Sequence, residues 1–471
     1  MVSAHQQNLI SSLVLALLLL TLTSCASETI KASSNESTSW AKSAITSEKN
    51  ANEQSSMVTL EKKDEVTTSK KGMTTSKKQI ASESTTMSQA DVSTTQDRNR
   101  PQNIRPGLYV ENGVIKLNGE KFYGIGVHYY ELATARYSNL LDAGPAQSIK
   151  NIAGYRIPYV RTKFSAWGTE GMSLFWNDRE TYWRIMDDAV TLAEQYHIGI
   201  IATVAWTMNP YLENGTTAGQ LLINRSSENY QRMLFYIESV MTRYRNSPAI
   251  WGWEIGNEYN LAADLTDLST DILTQFYTDL TPRMAAWDGY GRLILHGHSQ
   301  NRASAWNLAQ NGSWTADTMP QMREMLHKYL TPEMGGTSIH VYNRTQTLGG
   351  QTVSLSEYLK MLAGWCKEFE KPLFIGEYCD DEIAYPLTDT NANRAISLKK
   401  FKEMHEAIIA NDIQLAVQWM QNNSMDVYRK PDSYYVTMLE AAKEANVGFV
   451  AAGKQNTKEY WSKTHNVFYQ G

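Results

Sequence analysis

The chain has 471 residues, of which 42% are hydrophobic, 10% aromatic and 20% charged, with a formal net charge of −5 at neutral pH. So modest a net charge argues against a polyanion-binding role, nucleic acid included. The length allows one large core with room to spare.

The first residues are apolar. Leu9-Ile10 and an uninterrupted run from Leu13 to Leu20 lead into Leu22-Thr23-Ser24-Cys25. A run this short, followed by small residues, reads as the core of a signal peptide over 1–25 rather than a spanning helix. Its last four residues resemble a bacterial lipobox. That resemblance implies that Cys25 is the lipidation site, diacylated and made the mature amino terminus, so that the protein is secreted and held to a membrane of the cell envelope. Ala26 follows the cysteine where aspartate would favour retention, which implies the outer membrane. The region before the run departs from the pattern, since it has no Lys or Arg.

Residues 26–100 are rich in Ser, Thr, Lys and Glu, with one aromatic (Trp40), one glycine (Gly72) and no proline. Such a segment buries too little apolar surface to offset its ordering entropy, and a disordered tether is expected. From Pro101 the composition shifts toward Trp, Tyr, Ile and Gly, so residues 101–450 are the expected folded domain and 451–471 a tail. The stretch Leu108 to Gly119 reads as a hairpin with an Asn-Gly turn, suited to plug one end of a barrel. Eight short apolar or β-branched runs follow: Phe122 to His128, Tyr159 to Phe164, Gly199 to Val204, Ala249 to Ile255, Leu293 to His296, Ser338 to Tyr342, Pro372 to Gly376 and Gln414 to Trp419. Helical periodicity fills the gaps, as in Tyr182 to Tyr196 and Tyr230 to Tyr244, and successive strands start roughly 35 to 50 residues apart. Eight such strand-helix pairs predict an α/β chain folded as a (β/α)8 TIM barrel.

Two glutamates end strands of this pattern. Trp251-Gly-Trp-Glu-Ile-Gly-Asn257-Glu258 closes strand four, and Pro372-Leu-Phe-Ile-Gly-Glu377 closes strand seven. Asn-Glu by itself is uninformative, since it recurs at Asn35-Glu36 and Asn52-Glu53 inside the polar tether. Position distinguishes the third copy, because active sites of this barrel are built at the carboxyl ends of its strands. Two carboxyl groups facing one another there are what a glycosidase requires, one to protonate a leaving oxygen and one to attack or to activate water.

On these residues the chain resembles a clan A retaining glycoside hydrolase, closest in style to family 5, the family of many cellulases and β-mannanases. The resemblance implies Glu258 as general acid/base and Glu377 as nucleophile. It implies that Asn257 bonds the sugar 2-hydroxyl and that Arg161, in Tyr159-Val-Arg161-Thr, keeps the nucleophile ionised. His340 and Tyr342 match the strand-six His-x-Tyr, and Trp419 the tryptophan that floors the −1 subsite. His128 and Trp206, ending strands one and three, join the substrate-binding set. The nucleophile is expected to have a lowered pKa and the acid a raised one. The departures are Tyr259 where proline usually follows the acid, His128-Tyr129 where asparagine is common, and no histidine beyond strand three.

Other residues invite plainer roles. Glu254 is expected to pair with Arg156 or Arg161 inside the barrel. His296 and His298 lack further ligands for a metal and are read as lining the cleft. Asp380 and Asp381 read as loop or capping charges, and Cys366 and Cys379 as unpaired thiols at opposite ends of one βα unit. Of Trp167, Trp176, Trp206, Tyr211, Trp306 and Trp314, about half are expected to pack loops and half to stack on sugars. The expected protein is a monomer without cofactor or metal that hydrolyses a β-1,4-linked mannan or glucan with retention. The alternatives are an exo-acting glycosidase or transglycosylase on short oligosaccharides, and a glycan-binding lipoprotein without turnover.

Overall fold

The computed structural model describes residues 105–129, 131–137, 142–165, 168–342, 345–348, 351–379, 391–419 and 434–454. Expectations for Cys25, the 26–100 tether, Trp167, Asp380, Asp381 and the tail beyond 454 fall outside them.

The chain enters as a three-stranded antiparallel sheet: β1 (Leu108–Glu111), β2 (Val114–Leu117) and β3 (Glu120–Lys121). Both of its turns are Asn-Gly pairs with positive φ, 51° and 70° at Asn112-Gly113, 53° and 88° at Asn118-Gly119. This is the backbone that two-residue hairpins require. The third strand was not expected.

Eight parallel strands follow: β4 (Gly124–His128), β5 (Tyr159–Lys163), β6 (Gly199–Thr203), β7 (Ile250–Glu254), β8 (Leu293–Leu295), β9 (Thr337–Val341), β12 (Leu373–Tyr378) and β13 (Leu415–Gln418). A hairpin, β10 (Thr345–Leu348) and β11 (Gln351–Ser354), is inserted after β9. The hydrogen-bonded order is β8-β7-β6-β5-β4-β13-β12-β9. At the remaining seam the Gly335 amide donates to the Ile294 carbonyl at 3.0 Å, tying β8 to the approach to β9. One long helix follows each strand: α1 (Gly144–Gly154), α2 (Arg179–Gln195), α3 (Glu228–Tyr244), α4 (Thr270–Asp288), α5 (Met319–Lys328), α6 (Leu355–Glu368), α7 (Asn391–Ala410) and α8 (Tyr434–Ala451). The fold is the expected (β/α)8 barrel. Among the described residues no helix is long and apolar enough to cross a membrane.

Two cores form because each strand has two apolar faces. Outward side chains such as Ile125, Val127, Ile200 and Ile339 pack beneath the helices. Inward ones, including Tyr159, Ile201, Trp251, Leu293, Phe374 and Val417, meet Leu108, Ile115, Leu117 and Phe122 of the entry segment, which thus plugs the amino-terminal end. Phe122 meets Trp251 edge to face, ring centroids 5.6 Å apart. Gln414 pins the plug: its amide oxygen accepts from the Ile115 amide at 2.9 Å, and its nitrogen donates to the carbonyls of Ile115 and Phe122 at 2.8 and 2.9 Å. With that end sealed, only the carboxyl-terminal mouth is available for a site.

Candidate active site

Strand alternation sends Tyr159, Arg161 and Lys163 inward from β5, and Ser338 and His340 inward from β9. The two glutamate strands need more than alternation. On β7 the partners of β6 skip from Ile250 to Gly252, and on β12 the partners of β9 skip from Ile375 to Glu377. Each skip is a bulge, and each resets the inward phase. Trp251 and Glu254 both face the interior, as do Phe374 and Glu377. Bulges beside active sites re-aim side chains in this way. Glycine at 376 is also a steric necessity, since a β-carbon there would stand 2.9 Å from His340 Nε2 and 3.2 Å from Ser338 Oγ.

Glu258 lies just beyond its strand in the left-handed conformation, φ 56° and ψ 31°. A non-glycine residue held there stores on the order of 1–3 kcal/mol of strain, sustained by the surrounding structure. Here the Glu258 amide donates to the Gly297 carbonyl at 2.7 Å. Tyr259, in place of the usual proline, is buried and its hydroxyl donates to the Ala205 carbonyl.

Arg161, with no exposed surface, is the hub of the mouth. Its Nε donates to Glu254 Oε2 at 2.7 Å, Nη1 to Glu377 Oε1 at 2.6 Å and Nη2 to Asn257 Oδ1 at 2.8 Å. The third bond leaves the Asn257 amide nitrogen as the donor side. Thr203 also donates to Glu254 Oε2, at 2.6 Å, so Glu254 is the internal counter-charge, paired with Arg161 and not Arg156. The other oxygen of Glu377, Oε2, accepts the Tyr342 hydroxyl. His340 stands between the acids, its Nδ1 2.8 Å from Glu258 Oε1 and 3.5 Å from Glu377 Oε2. One oxygen from each glutamate and the imidazole nitrogen lie within 4.8 Å of one another.

That spacing would suit a divalent cation. Yet both Glu377 oxygens are already engaged, and a guanidinium at contact distance competes with any metal, so the donor set fits proton chemistry better.

Aromatic rings wall the acids. His128, buried, stacks on Trp419 at 4.6 Å, and its Nε2 is 3.9 Å from Glu377 Oε1. Trp419 meets Tyr342 edge-on at 6.4 Å. Trp206 corrects an expectation: at 1% exposure it offers no face to a sugar, and its ring packs against Arg161 at 4.9 Å and His128 at 5.2 Å. It backs the hub. Tyr211 is buried too, Trp176 packs between Arg232 and Phe235, and Trp314 is 57% exposed. His296 and His298 are likewise corrected from cleft lining to structural residues. Both are buried, the His298 amide donates to His296 Nδ1 at 3.1 Å, and His298 Nε2 is 2.7 Å from the Tyr277 hydroxyl. Cys366 and Cys379 are buried and form no disulfide.

The electrostatics reverse the expected pKa order. Burial, together with the charge of Glu258, holds Glu377 above the ordinary carboxylate range despite His340, Arg161 and Tyr342. Burial also pushes Glu258 up, but the hydrogen bond and charge of His340 outweigh it and the net direction is down. The difference follows from His340, whose hydrogen bond goes to Glu258, and from solvent, since the Glu258 side chain is 27% exposed and that of Glu377 only 3%. Lys163 is a residue the sequence reasoning missed. It shares the inward face of β5 with Arg161, is 1% exposed, and burial pushes its amine down to about 7. Its signal was the i, i+2 spacing from Arg161.

No family model matches the chain. Among solved structures, it is similar to an endo-1,4-β-mannanase from Rhizomucor miehei, with TM-score 0.53 and 18% identity over 72% of this chain and 99% of that one. It is also similar to a glycoside hydrolase family 5 mannosidase from Rhizomucor miehei, with TM-score 0.52 and 12% identity over 75% of this chain and 99% of that one. These likenesses show the fold, a (β/α)8 barrel. A probable mannan endo-1,4-β-mannosidase F from Aspergillus flavus is 23% identical over 169 residues, 35% of this chain. The chain spans about a third (34%) of the length of that curated relative.

Proposed function

We propose that the protein is a retaining β-glycosidase that hydrolyses β-1,4-linked mannan, with Glu377 as nucleophile and Glu258 as general acid/base. The observation that carries this reading is the carboxylate pair, with oxygens within 4.8 Å of each other at the mouth of the barrel. Retaining enzymes hold their acids ~5–5.5 Å apart, whereas inverting ones leave ~6.5–9.5 Å for a water. Glu377 attacks the anomeric carbon while Glu258 gives its proton to the leaving oxygen, and the glycosyl ester forms as the glycosidic bond breaks. Glu258, now a carboxylate, takes a proton from water, and that water cleaves the ester to release the sugar and free Glu377.

The roles follow from the bonds each acid accepts. Arg161 on Oε1 and Tyr342 on Oε2 stabilise a carboxylate at Glu377. A sugar in the mouth covers the exposed part of Glu258 and raises its pKa by further drying, which sets it as the acid. Mannan as substrate is supported by the names of the proteins the chain resembles. The Leu13–Leu20 run and Cys25 extend the proposal to a secreted enzyme lipid-anchored in the cell envelope, tested by loss of fatty-acid labelling in Cys25→Ser. The substrate test is reducing-end release by the full chain on mannan, galactomannan, carboxymethylcellulose, mixed-linkage glucan and xylan, with Glu377→Gln as control. Release from the mannans, absent in the control, is expected. Equal rates in the control refute the carboxylate pair, and release from xylan alone refutes the substrate.

A further inference from the structure

His340 is bonded on one side only. Nδ1 faces the two acids, while Nε2, on the far edge of the ring, is buried and has no hydrogen-bond partner. Ser338 Oγ, two residues earlier on the same inward face of β9, is also buried and without a partner. The two atoms flank Gly376, since a β-carbon built on that glycine meets Nε2 at 2.9 Å and Oγ at 3.2 Å. Two orphaned polar atoms beside one glycine form a polar niche, and buried polar groups of this kind are ordinarily satisfied through an enclosed water.

We infer that one buried water bridges Ser338 Oγ and His340 Nε2, making Ser338 a positioning residue for the imidazole that partners Glu258. The water, anchored by the Ser338 hydroxyl, accepts from a protonated Nε2. Which nitrogen carries the proton matters for the acid. When Nε2 carries the proton, Nδ1 is a lone pair and accepts the Glu258 hydroxyl, which keeps Glu258 in its acid form. When Nδ1 carries it, the imidazole donates to a Glu258 carboxylate and stabilises the basic form. A polar support behind Nε2 therefore favours the protonated acid. The charged and titratable groups around the ring are Glu258 and Glu377 at its Nδ1, with His128, His296, His298 and Arg161 further off.

The mechanistic consequence rests on Glu258 being the acid, but the solvent site does not, and the tests are separate. A crystal structure of the unmodified protein at ~1.2 Å should show density within hydrogen-bonding distance of both atoms; none there overturns the proposal whether or not the protein is active. Ser338→Ala should move the basic limb of the kcat/KM profile to lower pH by about one unit, the displacement corresponding to one ordinary hydrogen bond, with KM little changed. Ser338→Thr, which keeps the hydroxyl, should restore the limb. An unmoved limb in Ser338→Ala, or one moved upward, overturns the positioning role. If that variant does not fold, the 15N shift of His340 Nε2 in the unmodified protein should be that of a hydrogen-bonded nitrogen, and a free-nitrogen value overturns the proposal.

Discussion

Replacing Arg161 by methionine keeps most of the apolar stem and removes the hub. In the native protein the guanidinium holds Glu254 at 2.7 Å, Glu377 at 2.6 Å and Asn257 at 2.8 Å, and packs on Trp206 at 4.9 Å. Removing one partner of a buried ion pair ordinarily costs about 3–5 kcal/mol, because the other charge is left dry and uncompensated. The fully buried setting places Arg161→Met near the upper end of that range at pH 7. The pH dependence separates this cause from mere loss of packing. Burial already holds Glu377 above the ordinary range, and losing Arg161 raises it further. A carboxyl whose folded pKa stands above its unfolded value gives its full stability below the unfolded pKa and loses it as pH climbs toward the folded one. The deficit of Arg161→Met against the native protein should therefore shrink between pH 7 and pH 5, by ~1 kcal/mol or more. Urea unfolding followed by tryptophan fluorescence at both pH values measures it. A deficit that is under about 1 kcal/mol, or that is the same at both pH values, refutes the electrostatic account of the hub.

Three other substitutions separate stability from chemistry. Gln414→Leu cuts the three hydrogen bonds that pin the entry sheet, and urea unfolding should show a loss of about 2–3 kcal/mol with kcat unchanged. Gly376→Ala drives a methyl group against His340 and Ser338, so activity on mannan should fall at least tenfold while stability falls by ~1–3 kcal/mol. Burial pushes His405 down to about 4, where it stays neutral against Tyr378 and Gln418. The folded pKa lies below the unfolded value, so this stability is present above pH ~6.5 and is lost as pH falls toward 4, by about 3 kcal/mol in all. His405→Gln should flatten that decline in denaturation curves taken between pH 7 and pH 4.5.

The barrel was legible because its strands are buried on both faces. Runs such as Ala249 to Ile255 stand out from the polar helix faces between them, and every expected strand overlaps an observed one. The hairpin β10–β11 was not legible. Its strands read Thr-Gln-Thr-Leu and Gln-Thr-Val-Ser, without an apolar run, and β11 lies mainly exposed, so burial imposes no apolar alternation on it. The glutamate pair was found from position alone, but not how it is aimed. The bulges at Trp251 and Gly376 reset the inward phase by one residue, and alternation counted along the strand does not register them. Trp206 was misread because an aromatic at a strand end looks the same whether it faces a sugar or backs an arginine. The pKa order failed for a similar reason: Arg161 and Tyr342 beside Glu377 were visible, while the drying of Glu377 relative to the half-open Glu258 depends on the shape of the mouth.

The central claim is that Glu377 forms a glycosyl ester while Glu258 shuttles the proton. Incubating the full chain with an activated 2-deoxy-2-fluoro-β-mannoside, which slows both steps and lets the ester accumulate, tests it most directly when followed by peptide mapping. The account predicts one added fluoroglycosyl mass on the peptide that carries Glu377, and none in Glu377→Gln. Label on another residue, or turnover of a β-mannoside to the α-anomer with no label at all, would contradict it.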